Sequence, residues 1–169
     1  AANAFANTGL TSLDLGNNLQ VIGDNAFSNN QLKTLKLTPG IWSVGNDAFE
    51  DNQLTDVDLG RVAQINEAAF KGNQLSSVSL PDSVTGIAEE AFENNAIKTL
   101  RLSQMVTSIG TSAFANNQIG DDLVLPETLT ALGEHAFENN QLTGLTLDSG
   151  LTVLNTSVFA NNLLTGTLV

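Results

Sequence analysis

The sequence predicts a β-dominated solenoid of about eight stacked coils of some 22 residues, with a parallel sheet on one face and short extended or 3₁₀/helical turns on the other. Three observations predict it. All eight phenylalanines (Phe5, Phe27, Phe49, Phe70, Phe92, Phe114, Phe137 and Phe159) fall at intervals of 22, 22, 21, 22, 22, 23 and 22 residues. Apolar residues recur at the same offsets from each Phe, while the positions between them vary. An asparagine stands three residues after Phe in every coil except the first, which has Thr8.

Each coil divides into elements at those offsets. The segment L-x-x-L-x-L begins five residues after Phe and ends on a pair with strand spacing, such as Leu35/Leu37, Val78/Leu80 or Leu145/Leu147. Residues two apart share a face of a strand, so the pair points inward and its neighbours point out. Pro81 and Pro126 follow the final Leu, where a missing N–H and a fixed φ stop the ladder. A second short strand is predicted from eight to five residues before Phe, bounded by pairs such as Ile41/Val44 and Val84/Ile87. The small residue before Phe is Ala in seven coils and Val158 in the last, and this pair is predicted to sit in a tight helical or 3₁₀ turn.

The asparagine row has a structural explanation. A turn facing the interior leaves backbone N–H and C=O groups without ladder partners, and one primary amide satisfies both kinds. Stacked amides can also bond along the rod. Glycosylation requires Asn-x-Ser/Thr, and Asn7 (N-T-G) and Asn52 (N-Q-L) do not meet it.

Residues 1–169 read as a single domain, because a coil of this kind buries its flat faces only against its neighbours. The chain starts part-way through one coil and stops inside the strand of another, with no polar cap visible, so the expectation is a slice of a longer protein. No signal peptide and no apolar run long enough to span a membrane occurs. There is no Cys from which to read redox compartment. Eighteen acidic residues against six basic ones give a net charge of −12, which disfavours nucleic acid and anionic membrane as partners.

The run L-x-x-I-G-x-x-A-F-x-N-N-Q-L-x-x-L-x-L-P resembles the leucine-rich repeats of BspA-like, or Treponema-type, bacterial surface proteins. Good copies are V-T-S-I-G-T-S-A-F-A-N-N at 106–117 and A-F-E-N-N-A-I-K-T-L-R-L at 91–102. Many members of that family carry Cys three residues after Phe, where this chain has Asn. The resemblance implies an α/β leucine-rich-repeat solenoid from a secreted or cell-surface protein used for adhesion or host recognition. It implies no reaction and no catalytic residues.

Candidate residues follow from this frame. With His135 as the lone histidine and neither Cys nor Tyr, nucleophile–base arrangements are nearly excluded, and His135 occupies a variable outward position. No cofactor or metal is expected, since Asp56, Asp58 and the pair Asp121/Asp122 lack the spacing of a loop that wraps calcium. A non-catalytic ligand-binding face is expected along the outward strand positions: Asp14, Lys36, Asp56, Asp58, Ser79, Arg101 and Asp122, centred on Asp56, Asp58 and Arg101. Asp14, Lys36 and Asp58 can form a ladder of ion pairs there. Trp42 is a further candidate, as an exposed indole anchor for protein or sugar, or else packed on Pro39. The threonines at 85, 107, 130 and 152 form a single row that strand propensity explains. Two coils are irregular: one residue is missing near Gly60-Arg61, and one is added at Gly120-Asp121-Asp122. The functional expectation is an extracellular recognition module binding a protein or glycan, with a structural spacer as the alternative.

Overall fold

The computed structural model describes residues 1–120, 122–147 and 150–165. Two parallel rows of short strands run along the solenoid. The first row, five to six residues before Phe, comprises β1 (Val21–Ile22), β3 (Ser43–Val44), β5 (Gln64–Ile65), β7 (Gly86–Ile87), β9 (Ser108–Ile109) and β11 (Ala131–Leu132). The second, seven to ten residues after Phe, comprises β2 (Thr34–Lys36), β4 (Asp56–Asp58), β6 (Ser77–Ser79), β8 (Thr99–Arg101), β10 (Leu123–Val124) and β12 (Leu145–Thr146). Both predicted strands are therefore present. Six coils carry them rather than the eight expected, because the flanking coils of Phe5 and Phe159 contribute rings but no strand among the described residues.

The periodic residues form one continuous core. Phe49, Phe70, Phe92, Phe114 and Phe137 are fully buried, and successive rings stack from Phe5 to Phe159 with centroids 5.3–5.8 Å apart and planes within 12° of parallel. This is within the range of offset stacking. The alanine before each buried Phe is itself buried, since the turn has no room for a larger side chain beside the ring.

The turn around Phe is not helical. In the coil of Phe27, Ala26 N–H donates to Gly23 O at 3.2 Å and Ser28 N–H to Asn25 O at 3.3 Å, which makes two successive β-turns. The residues two before and two after every Phe are left-handed, as at Asn25 and Asn29 or Glu90 and Asn94 (φ 55°, 54°, 56° and 56°). A helix cannot pass through such residues, so the expected helical or 3₁₀ turn is replaced by this pair. The backbone then faces the next coil, and Phe27 N–H donates to Ala48 O, Phe49 to Ala69 and Phe70 to Ala91.

The asparagines fasten each coil to the one before it. Asn117 is the pattern: Nδ2 donates to Phe92 O of the preceding coil at 2.9 Å and to Phe114 O and Ala115 O of its own at 3.2 Å. Its Oδ1 accepts from Ile97 N–H at 3.1 Å. One amide thus satisfies donors and acceptors of both coils, as the sequence required. The amides of this row bond backbone rather than one another. The along-rod amide ladder lies one residue earlier, on the exposed side chains, where Asn139 Nδ2 donates to Asn116 Oδ1 at 2.7 Å and Asn161 Nδ2 to Asn139 Oδ1 at 2.8 Å.

The glycine of the I-G step reflects close approach. A Cβ on Gly133 would lie 2.3 Å from Thr111 N and 2.5 Å from Gly110 C, both in the preceding coil.

Interruptions of the ladders coincide with the irregular coils. Pairing runs β1–β3, β5–β7–β9–β11, β2–β4, β6–β8 and β10–β12. The breaks at β3/β5 and β4/β6 flank the coil of 21 residues, and the break at β8/β10 precedes the strand that follows the added residue. Asp121 lies outside the described residues, and register is regained where Leu123 pairs with Leu145.

Candidate functional site

The outward positions of the second strand row form the candidate face. Alternation along each strand places Leu35, Val57, Val78 and Leu100 inward, so Thr34/Lys36, Asp56/Asp58, Ser77/Ser79 and Thr99/Arg101 stand exposed on either side. Register aligns Lys36 with Asp58 and Ser79 with Arg101.

The expected Asp14–Lys36–Asp58 ion ladder does not form. Lys36 and Asp58 are partners in register but make no ion pair, because an exposed pair offers little attraction against the entropy of two free side chains. The two aspartates are used locally. Asp14 Oδ1 accepts from Gly16 N–H at 2.9 Å and Asp58 Oδ1 from Gly60 N–H at 3.0 Å, each closing an Asx turn onto a left-handed glycine.

Asp56, Asp58 and Arg101, the predicted centre, lie around one shallow recess. Gly60 and Asp82 contribute to its rim, and Ser79 lies between the two aspartates and the arginine. The recess straddles the β4/β6 interruption beside the short coil, so the sequence irregularity, the concavity and the charges coincide. Arg101 has no ion-pair partner among the described residues. Asp122 is exposed further along and accepts from Thr143 Oγ1 at 3.4 Å. It directly precedes β10, the next strand of the second row after β8, and lies outside the recess.

Trp42 is 64% exposed and does not pack away on Pro39. It immediately precedes β3, so it belongs to the first strand row and the recess does not include it. The threonines 85, 107 and 130 share that side, and each Oγ1 donates to a carbonyl of the preceding coil at 3.1–3.4 Å. Their hydroxyls are thus occupied in holding the stack.

A charge cluster at the Phe turns was missed by sequence reasoning. Lys71 bonds the carboxylates of Glu90 and of Glu93, the latter at 2.9 Å. The Glu90 hydrogen bond chiefly holds the Lys71 ammonium above the usual lysine range. Nearby, burial and then the charges of Asp51 and Asp47 push the Glu50 carboxyl up. The signal was present in sequence: Glu50, Lys71, Glu93 and Glu138 all follow a Phe directly, so they form one column. His135 Nδ1 lies 2.7 Å from Glu138 Oε2 in the same region. His135 is left-handed and partly buried, so its position is variable in residue type but not freely outward.

This arrangement suits binding through charge and hydrogen bonds. Among the described residues no group of three or more His, Cys, Asp or Glu is placed to hold a metal ion, and no helix is long and apolar enough to cross a membrane.

Comparison with known proteins places this architecture. The family model for the BspA type leucine-rich repeat region matches residues 1–117 and 60–165. No curated protein matches the chain. Among solved structures, a leucine-rich repeat protein from Bacteroides ovatus aligns with a TM-score of 0.68 at 17% identity, over 94% of this chain and 50% of that one. A leucine-rich cell surface protein from Faecalibacterium prausnitzii gives 0.61 at 22%, over 94% and 54%. The pneumococcal vaccine antigen PcpA gives 0.58 at 18%, over 85% and 43%. The chain therefore spans about half the length of the solved structures it matches, and the likeness is one of fold. With the family model covering nearly all of its length, the chain belongs to the BspA-type leucine-rich repeat family.

Proposed function

We propose that this chain is a non-catalytic recognition module of a bacterial surface or secreted protein, which binds an extracellular protein or glycan through the outward face of its second strand row. The observation that carries the reading is the recess at the β4/β6 interruption, where Asp56, Asp58 and Arg101 stand exposed around Ser79. A solenoid face of this kind is rigid, because each strand is fixed by the core beneath it, so little ordering entropy is lost on binding. The surface assignment draws on relatives of the same fold, one described as a cell surface protein and another as a vaccine antigen. Neither nucleic acid nor direct membrane insertion fits a chain of net charge −12.

The test is a screen of the chain against immobilised extracellular matrix proteins and glycans at physiological salt, alongside the Asp56→Lys/Asp58→Lys variant. Saturable binding that is lost in the variant supports recognition at this face. Binding that survives in the variant moves the site elsewhere, with Trp42 next in line. Absence of saturable binding favours the spacer, a solenoid that carries another domain outward.

A further inference from the structure

We infer that the recess takes an extended peptide segment carrying a basic side chain and an acidic side chain two residues apart on the same face. The inference rests on the recognition reading above and narrows its ligand. Three features of the recess lead to it.

First, the recess holds one cation, Arg101, against the carboxylates of Asp56, Asp58 and, on the rim, Asp82, and none of them pairs with it. Asp56 and Asp58 stand two residues apart on β4 and both face outward, while Arg101 stands on β8. Between them β6 presents Ser79, in register with Arg101 and too small to fill the floor. Secondly, the opposite charges do not neutralise one another: neither Asp56 nor Asp58 forms an ion pair with Arg101. By contrast, Lys71 is fully engaged by two carboxylates, so this chain does pair its charges where the geometry brings them together. Asp58 spends one oxygen on Gly60 N–H and retains lone pairs on the other. Arg101 presents a planar guanidinium that suits a carboxylate.

Thirdly, the spacing selects the ligand. Neighbouring strands lie about 4.8 Å apart, so β4 and β8 are separated by roughly 10 Å across β6. A ligand cation seated over the aspartates and a ligand anion seated over Arg101 are therefore about 10 Å apart. Side chains i and i+2 of an extended peptide leave one face at about 6.6–7 Å, and long Lys and Glu side chains splay to span the rest. A Lys-x-Glu segment crossing the strands therefore sets its ammonium on Asp56 and Asp58 and its carboxylate on Arg101. The reversed order, Glu-x-Lys, satisfies the same charges by running the other way. Two like charges satisfy only one side and leave the other in repulsion.

The experiment titrates the ¹⁵N-labelled chain with four nine-residue peptides of equal length, centred on Lys-Ser-Glu, Glu-Ser-Lys, Lys-Ser-Lys and Glu-Ser-Glu, in 150 mM salt. Amide shifts are followed for Asp58, Gly60, Ser79 and Arg101. The expected result is saturable shifts at these amides with either mixed-charge peptide, and at least tenfold weaker binding of both like-charge peptides. In the Arg101→Glu variant the preference should change to Lys-Ser-Lys. A urea midpoint equal to the parent's confirms that this variant is folded, and the wild-type titration stands without it. Equal binding of Lys-Ser-Lys and the mixed peptides by the wild-type chain would overturn the inference, since net acidity alone would then explain attachment. Absence of shifts with all four peptides would also overturn it. In that case the screen of matrix proteins and glycans still decides the broader recognition reading, so the two failures are distinguishable.

Discussion

Replacing Asn117 by Ala isolates what one amide contributes to the stack. The carbonyls it serves each keep another donor: Phe92 O retains Asn95 Nδ2, Phe114 O retains Asn140 Nδ2, and Ala115 O retains Asn94 N–H. Ile97 N–H does not, for Asn117 Oδ1 is its hydrogen-bond acceptor and Ile97 is 0% exposed. An orphaned buried N–H costs about 1–3 kcal/mol, and the lost bond to Phe92 O adds about 0.5–1.5 kcal/mol. The expected loss is therefore about 2–4 kcal/mol. Asn117→Asp should lose more, because it turns a carboxylate oxygen toward three carbonyl oxygens in place of the amide donor. Asn162 makes the same bonds in a half-buried coil, to Phe137 O, Phe159 O and Leu142 N–H. Water can reach that site, so Asn162→Ala should cost only about 1 kcal/mol. Urea unfolding followed by far-UV circular dichroism measures all three, and in a solenoid the end coils fray before the centre. A loss below 1 kcal/mol for Asn117→Ala, or equal losses at positions 117 and 162, would refute the reasoning.

Three further outcomes follow from the same contacts. Phe92→Ala should cost about 3–5 kcal/mol, since the ring is fully buried between Phe70 and Phe114 at 5.5 and 5.3 Å and leaves a cavity mid-stack; an unchanged urea midpoint would contradict this. Gly133→Ala should cost about 1–3 kcal/mol because its new methyl meets the backbone of Thr111, and thermal unfolding would reveal a neutral substitution if that backbone gives way. Glu50 has a folded-state pKa raised above its unfolded value, so the folded chain binds the proton more readily and loses stability as pH rises through that window. Glu50→Gln should therefore raise the urea midpoint at pH 7, by an amount that shrinks toward zero at pH 3–4; a constant difference across pH would refute the assignment.

Much of this architecture was legible because buried positions tolerate little variation. Phe, the Ala before it, the Asn three after it and the paired leucines recur at fixed offsets, and those residues are the core and its hydrogen-bond staples. The turn geometry was less legible. Asn, Asp, Ala, Glu, Ser and His all occupy the left-handed position before Phe, and a residue such as Ala68 (φ 47°) gives no sign that its backbone is unusual. The coil count was overestimated because a phenylalanine marks a ring in the stack, and among the described residues the coils of Phe5 and Phe159 carry that ring without a strand. Outward side chains were harder still. Register correctly brought Lys36 opposite Asp58, yet adjacency in register does not compel an exposed pair to close. Lys71, Glu90 and Glu93 do close, because their side chains are partly shielded at the Phe turns. The recess lies beside a missing residue near Gly60, visible in the sequence as an interval of 21 but with no indication of a concavity there.

The proposal that the second strand row is the recognition surface is tested most directly by two variants on opposite rows, measured against one captured ligand. Affinities of the parent chain, Asp56→Lys/Asp58→Lys and Trp42→Ala would be determined side by side at physiological salt. The account predicts at least a tenfold loss for the aspartate variant and a change within twofold for Trp42→Ala. A tenfold loss for Trp42→Ala, with the aspartate variant unaffected, would contradict it and place recognition on the first strand row.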